Sequence, residues 1–234
     1  MGSDDLFRKR KASELTRKSE SERVYSNSIL IVCEGKKTEP NYFKGFQVSG
    51  VVVEIIGLGN NTDFLVRDAV EIWKDYANDG KYYEHLWCVF DHDDFPQENY
   101  NQAFVTISTE QEKLNKRYEK KVGRKIQIKI AYSNEAFELW YLLHYDYHTS
   151  GISRSRFKAM LTKKMGKKYK KNDTGMYDFL QELSVNKNGA EGQRFAIENA
   201  KRLRVFHNCN DPQNHNPCTN VDELVEELNL HLKK

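Results

Sequence analysis

The sequence predicts an α/β fold, in which a mostly parallel, four-stranded sheet is flanked by helices and followed by an α-helical C-terminal extension. Four short apolar runs within residues 28–147 alternate with segments of helical periodicity, which is the pattern of a parallel sheet covered on both faces. Two of these runs end directly on acidic residues, Glu34 and Asp91. Ligands of open α/β sheets bind outside the carboxyl ends of the strands, so we expect the functional site there.

The strands and helices of the core follow one another in order. Residues 28–33 are a continuous apolar run and residues 51–56 are rich in β-branched side chains, which favours a strand in both places. Residues 63–76 have the apolar spacing of a helix, and an Asn-Asp-Gly sequence at 78–80 ends it. The same reasoning predicts strands at 86–90 and 126–132 and helices at 41–46, 101–120 and 136–145.

The chain beyond residue 148 is predicted to be helical, apart from a basic loop at 151–175. Helices are expected near 176–183, 189–204 and 221–232, and Thr219 or Asn220 caps the last of them. The chain thus divides into a polar N-terminal arm (1–25), a core that carries the site (26–148) and a region that packs on the core (149–234).

The composition is that of a soluble globular protein. Charged residues make up 30% and hydrophobic residues 38% of the 234 residues, and no apolar run reaches the roughly 18 residues of a membrane-spanning helix. Residues 1–23 lack the apolar stretch of a secretory signal. Four cysteines without a C-x-x-C pair indicate a reducing, cytoplasmic location. The irregular spacing of His207, Cys209, His215 and Cys218 argues against a zinc site.

Positive charge is concentrated in one segment. Residues 151–171 carry nine Lys and Arg residues and no acid, which indicates contact with a polyanion such as nucleic acid, although a solvated lysine-rich surface explains it equally well. For the more dilute basic cluster at 113–129 the solvated surface is favoured. The residues expected to bind substrate in the first segment are Arg154, Arg156, Lys163, Lys164, Lys167 and Lys168.

The acids at the strand ends predict a metal site. Asp91 and Asp93 are two residues apart, so their side chains lean to the same side of an extended backbone, and Glu34 ends a second strand. Carboxylate oxygens suit Mg²⁺ or Mn²⁺, which keep open positions for a phosphate. Acids after strands also serve as turn formers and helix caps, which is our interpretation of Asp94. Two such sites in one domain favour metal binding by Glu34, Asp91 and Asp93.

Four blocks of sequence resemble the RloB-like family. Residues 33–43 (CEGKKTEPNYF) resemble its E-G-x-x-T-E-x-x-Y-F block, and residues 90–93 (FDHD) resemble its D-x-D block. Residues 133–145 (SNEAFELWYLLHY) are similar to its S-N-P-x-F-E-x-W-x-x-L-H-F block, and residues 216–221 (NPCTNV) to a late N-P-x-T-x-V element. Their order and spacing make the resemblance specific. Glu135 stands where the family block has proline.

The resemblance implies a Toprim-like (Rossmann-like) core, the catalytic core of topoisomerases, primases and certain nucleases. In such enzymes a glutamate after the first strand is the general acid/base and a D-x-D pair holds Mg²⁺; these roles fall on Glu34 and on Asp91 with Asp93. The resemblance also implies abortive infection or phage defence, a partner ATPase of the AAA type, and nuclease action, with tRNA among the substrates of related effectors.

Four further residues are candidates for the site. Lys36 and Lys37 follow Glu34 and can contact a phosphate as point charges, although a solvated loop explains them as well. His144 shares an apolar helical stripe with aromatic residues, so it is either a catalytic helper or a satisfied core histidine. Glu138 lies off that stripe and either points to the acidic site or serves the helix N-terminus.

Three functions are compatible with these features. The leading hypothesis is a metal-dependent nuclease acting on RNA such as tRNA, or on DNA. The alternatives are a catalytically silent subunit that binds nucleic acid or an ATPase, and a phosphohydrolase acting on a small substrate. Retention of all three acids argues against the silent subunit, and the extended basic segment argues against the small substrate. The Gly-rich loop at 57–61 does not fit a P-loop, so no ATP hydrolysis is expected in this chain.

Overall fold

The computed structural model describes residues 28–59, 65–92, 97–186, 192–207 and 214–233. The predicted N-terminal arm, Asp93 with Asp94, and Cys209 lie outside these residues. No helix in the described ranges combines the length and the apolar character needed to cross a membrane.

The described residues form one mixed sheet with the strand order β2-β1-β3-β4-β5. The first four strands in this order are parallel, and β5 pairs antiparallel with β4. The prediction of an α/β fold is confirmed, but the prediction of a four-stranded sheet is wrong. The strands are β1 (Ser28–Cys33), β2 (Val52–Gly57), β3 (His85–Asp91), β4 (Gln127–Asn134) and β5 (Cys218–Thr219).

The fifth strand has only two residues, so it has no periodic pattern that could reveal it in the sequence. Hydrogen bonds from side chains add to the pairing between β5 and β4. Thr219 Oγ1 donates to the Tyr132 carbonyl at 2.7 Å, while Asn220 Oδ1 accepts from the Tyr132 N–H at 2.8 Å and Asn220 Nδ2 donates to the Ile130 carbonyl at 2.8 Å. Asn220 occupies the N-cap position of the last helix, as one of the two predicted caps, but its side chain satisfies backbone groups of β4 and makes no capping hydrogen bond to the helix.

The helices pack on both faces of the sheet. Alternate residues of β1 belong to different layers: Ile29 and Ile31 face one hydrophobic cluster, and Leu30 and Val32 face the other. The helices are α1 (Thr38–Phe43), α2 (Leu65–Asn78), α3 (Gln97–Val122), α4 (Glu138–Leu143), α5 (Arg154–Met165), α6 (Met176–Asn186), α7 (Gln193–His207) and α8 (Val221–Asn229).

The prediction of a basic loop at 151–175 is wrong in its first half, where α5 forms. Phe157 and Leu161 are four residues apart and are both buried, so the helix has a narrow apolar stripe among basic residues. Gly166 ends the helix with a φ of 66°, a conformation that glycine adopts without strain. Only these two residues of the helix are buried, and a stripe so narrow among many basic residues does not predict a helix from the sequence alone.

A buried ion pair joins α7 to the segment that carries β5 and α8. Asp222 is fully buried, and its two carboxylate oxygens accept from Arg204 Nη1 at 2.5 Å and from Nη2 at 2.7 Å. Arg204 Nη1 also donates to the Thr219 carbonyl at 2.6 Å. This bidentate arrangement fixes the C-terminal region to the edge of the sheet.

We predict that Asp222→Ala lowers the free energy of unfolding by about 3 kcal/mol, because it leaves a mostly buried guanidinium without its charged partner. Urea unfolding followed by circular dichroism measures the effect. As the matched control, Glu226→Ala breaks the exposed pair between Lys201 and Glu226 of α8 and is expected to cost less than about 1 kcal/mol. Equal losses in the two variants would contradict the importance given to the buried pair.

Candidate active site

The first acid of the site is held at the carboxyl end of β1 by backbone hydrogen bonds. The Glu34 N–H donates to the Val89 carbonyl of β3 at 2.8 Å, and the Glu34 carbonyl accepts from the Gly59 N–H at 2.6 Å. A Cβ on Gly57 would lie 2.6 Å from the Gly35 carbonyl oxygen, so the Gly-rich loop after β2 allows the two loops to approach closely.

The second acid, Asp91, is the last residue of β3 and is only 6% exposed. Its backbone N–H donates to Glu34 Oε2 at 3.2 Å, so the Glu34 side chain reaches across to the neighbouring strand. The parallel pairing of β1 with β3 brings these two predicted residues together, because both strands end at the same edge of the sheet. Asp93, the third predicted ligand, lies outside the described residues.

Glu39 is a further acid at this edge, to which the sequence analysis assigned no role. It lies in the first turn of α1 and is 6% exposed. A Cβ on Gly35 would overlap its carboxylate, so glycine at 35 leaves the space that Glu39 occupies. The signal that could have identified it is the T-E pair, Thr38 and Glu39, in the block that resembles the family.

Two carboxylate oxygens in this group are buried and have no hydrogen-bond partner among the described residues: Asp91 Oδ1 and Glu39 Oε2. Burial raises the pKa of Asp91 well above its usual value, and the charges of Glu39 and Glu138 raise it further, while Arg154 lowers it. Burial likewise raises the pKa of Glu39. Neighbouring carboxylates with unsatisfied oxygens need a proton or a cation to compensate them.

Glu138 is a fourth acid of the group that contains Glu34, Asp91 and Glu39. It is buried at the start of α4, and the Tyr169 hydroxyl donates to its Oε1 at 3.1 Å. Its charge raises the pKa of Asp91 and of Glu39, so it lies within electrostatic reach of the acidic group. Tyr169 comes from the segment after α5, and burial together with Glu138 raises the pKa of its phenol, which keeps it a hydrogen-bond donor.

Basic residues surround an open cavity of about 400 Å³ above the acids. Arg154 Nη2 lies 3.8 Å from Asp91 Oδ2. The Asn172 side chain, with a backbone φ of 71°, accepts from Thr38 Oγ1 at 2.9 Å and so holds the neighbouring Lys171 beside the site. The cavity is lined by Glu34, Gly35, Lys36, Lys37, Thr38, Glu39, Gly59, Asp91, Arg154, Lys171 and Asn172.

The other predicted substrate-binding residues do not line this cavity. Lys164 pairs with Asp146, and the Lys167 ammonium lies 3.6 Å from the centre of the Phe179 ring. Arg156, Lys163 and Lys168 are exposed. Of the predicted cations, the structure therefore brings Lys36, Lys37 and Arg154 to the acids and leaves the rest on the surface of the C-terminal region.

His144 lies in the core. It is fully buried, stacks edge-on against Trp140 and donates from Nδ1 to the Trp140 carbonyl at 2.9 Å. Burial lowers the pKa of His144 to about 4, so the imidazole is neutral at physiological pH. It does not line the cavity, and its catalytic role stays a prediction without a contact to support it.

The side chains at the acidic edge are carboxylates, which are suitable ligands for a divalent cation. Mg²⁺ takes one or two carboxylates from a protein and completes its coordination with water and substrate phosphate. The Glu34 carboxylate lies 3.2 Å from the Asp91 backbone nitrogen, and its charge adds to the effect of burial in raising the pKa of the Asp91 carboxyl, so both carboxylates lie at this edge. Within the described ranges, no three His, Cys, Asp or Glu side chains form a metal-binding group. Asp93 is the residue expected to supply a further ligand.

The family model described as RloB-like protein matches residues 29–228. The match covers most of the chain and includes every acid and cation named above. Comparison with curated proteins found no match, and comparison with solved structures found none.

The raised pKa of Asp91 leads us to predict how the stability of the protein depends on pH. Since the folded-state pKa exceeds the unfolded value of about 4, the neutral carboxyl stabilises the fold at low pH, and this stabilisation is lost as the pH rises towards the folded pKa. Asp91→Asn is permanently neutral, so its free energy of unfolding should increasingly exceed that of the wild type as the pH rises above about 4, the unfolded-state pKa of Asp. Urea unfolding at a series of pH values, without divalent cations, measures this difference.

The control is Glu71→Gln, which neutralises an exposed carboxylate on α2 and should follow the wild type across the same range. If the difference in free energy of unfolding between Asp91→Asn and the wild type stayed constant or shrank with rising pH, the burial of an ionisable group at this position would be contradicted.

Proposed function

This chain belongs to the RloB-like family, and from that membership together with its acidic cavity we propose that it is a metal-dependent nuclease. The observation that carries the proposal is the pair of buried, unpartnered oxygens on Asp91 and Glu39 beneath a cavity lined by four cations. An acidic floor that needs a cation, below a basic rim that attracts phosphate, suits hydrolysis of a phosphodiester. The family resemblance implies that the reaction is of the Toprim type.

In this proposal Glu34, Asp91 and Asp93 hold Mg²⁺ or Mn²⁺. The bound ion supplies neutralisation of charge on the phosphate and on the leaving oxygen. The raised pKa of Asp91 supports such a role, because a buried carboxylate whose charge is disfavoured would be stabilised by a divalent cation beside it. Glu39 and Glu138 add negative charge around the same point.

The remaining chemistry falls to side chains of the cavity. Glu34 is only partly buried, so it can accept a proton from an attacking water. Arg154 and Lys171 face the phosphate from the C-terminal region, and Lys36 and Lys37 face it from the loop after β1. The Tyr169 hydroxyl orients the Glu138 carboxylate by donating to it.

The proposed substrate is nucleic acid, with RNA such as tRNA placed before DNA. The exposed cations Arg156, Lys163 and Lys168, together with Lys164 and Lys167, extend positive charge beyond the cavity along α5 and the following turn. A small phosphorylated molecule has no need of that surface, whereas a polynucleotide backbone does. We place this activity in abortive infection against phage, in the cytoplasm, with an AAA-type ATPase as partner.

The basic surface of α5 also favours a second function, that of a catalytically silent subunit that binds nucleic acid or an ATPase. Cleavage assays and cation binding separate the two functions.

We predict that Asp91→Ala lowers the rate of nucleic-acid cleavage about a thousandfold or more, because removal of a ligand removes charge stabilisation in the transition state. Purified protein is incubated with tRNA, single-stranded DNA and duplex DNA in Mg²⁺ or Mn²⁺, and products are resolved on denaturing gels. The matched control, Glu71→Ala, removes an exposed acid of α2 and should cleave like the wild type.

Growth of the host provides the parallel test when a partner or a phage trigger is required. Expression of the wild type with its ATPase partner should arrest growth, and Glu34→Gln should restore it while keeping the protein folded. Cleavage that persists in purified Asp91→Ala would exclude the metal mechanism and leave another hydrolytic site to be found.

Binding of the cation is predicted independently of cleavage. Addition of Mn²⁺ should raise the melting temperature of the wild type, since a ligand that binds only the folded state stabilises it by about 2.7 kcal/mol at one hundred times its dissociation constant. Asp91→Ala should show no such rise, and Glu71→Ala should rise like the wild type. Equal shifts in Asp91→Ala and the wild type would place the ion elsewhere.

A further inference from the structure

Arg154 reaches the acids because of where α5 begins. It is the first residue of this helix, and its Nη2 lies 3.8 Å from Asp91 Oδ2 while 42% of its side chain stays exposed to the cavity. A guanidinium in this position can contact both Asp91 and a phosphate that enters the cavity. The position of Arg154 therefore depends on what holds the N-terminus of α5.

No side chain at the start of α5 caps the N-terminus of this helix. Ser153 occupies the N-cap position, but its hydroxyl lies 3.3 Å from the Ser155 hydroxyl and does not cap a backbone N–H of the helix, and the first turn contains no acid. The Arg154 N–H donates instead to Glu135 Oε2 at 2.8 Å. A carboxylate from the turn after β4 thus satisfies the helix end and complements its partial positive charge.

Asn216 holds Glu135 and the residue before the helix together. Its Nδ2 donates to Glu135 Oε1 at 2.9 Å and to the Ile152 carbonyl at 3.2 Å, while its Oδ1 accepts from the Ile152 N–H at 2.9 Å. Ile152 is itself buried in the core. Three segments that are 64 and 81 residues apart in sequence are thus joined beside Arg154.

The sheet connects this junction to the acids. Asp91 of β3 pairs with Ser133 of β4, and Glu135 follows two residues later along the chain. The distance from Asp91 to Glu135, and from Glu135 to Arg154, is therefore set by the strand register and by one side-chain hydrogen bond.

We propose that Glu135 and Asn216 are positioning residues, which hold Arg154 over the acidic cavity so that its guanidinium binds a phosphate of the substrate. This inference rests on the proposed function of the cavity, and it adds two residues that do not themselves line the cavity, although Glu135 contacts the backbone N–H of the lining residue Arg154.

A double-mutant cycle tests the proposal. The dissociation constant of a fluorescent single-stranded RNA is measured by anisotropy with Ca²⁺ in place of Mg²⁺, for wild type, Glu135→Ala, Arg154→Ala and the double variant. Arg154→Ala should weaken binding about tenfold, the loss of one charge-assisted contact. Glu135→Ala should weaken it about fivefold, and the double variant should bind no worse than Arg154→Ala.

Two controls remove the same charges elsewhere. Glu198→Ala on α7 loses an exposed acid, as Glu135→Ala does, and Arg67→Ala on α2 loses an exposed arginine, as Arg154→Ala does. Both should bind RNA like the wild type. Losses that multiply in the double variant would overturn the proposal, because Glu135 would then act independently of Arg154.

Hydrogen exchange gives a readout without nucleic acid. Glu135→Ala and Asn216→Ala should speed exchange of the Arg154 amide and leave the amides of α7 unchanged, whereas Glu135→Gln, which keeps one carbonyl acceptor, should restore part of the protection. If the wild type bound no RNA, the proposed function would be contradicted. The exchange rate of the Arg154 amide would still test the positioning role. Unchanged exchange at Arg154 would overturn that role whether or not RNA binds.

Discussion

Carboxylates held together in a protein interior repel one another and lose the solvation that stabilises their charge, and the architecture around β1 and β3 depends on how this cost is met. Glu34 and Asp91 meet because two parallel strands end at one edge, and Glu39 and Glu138 join them from the helices that follow β1 and β4. Burial raises the pKa of Asp91 and Glu39. The group is stable only with protons, cationic side chains or a metal ion beside it.

The C-terminal region supplies part of that compensation. Arg154 opens α5 against Asp91, Lys171 lines the cavity, and Tyr169 donates to Glu138. These three residues come from the segment whose basic character first suggested nucleic acid. Since Tyr169 contacts a core acid and Arg154 faces another, the region completes the site and does not merely cover the sheet.

The parts of the site that could be predicted are those that follow from local sequence. Glu34 and Asp91 each stand directly after an apolar run, and such runs form neighbouring parallel strands in an α/β fold. The same reasoning missed Glu39, because an acid in the first turn of a helix is ordinary there and its burial depends on the space that Gly35 leaves. For His144 the sequence left both a catalytic role and a core role open, and in the structure its imidazole is buried and donates to the backbone of its own helix.

The sequence by itself determined the family, the α/β alternation and the two strand-end acids, because apolar runs, turn residues and motif spacing are properties of neighbouring residues. Only the tertiary structure decided that a two-residue fifth strand joins β4, that Arg154 lies over Asp91, and that Glu135 and Asn216 hold it there. These contacts join residues 19 to 86 positions apart, and their geometry comes from strand register and helix docking, which no local pattern encodes.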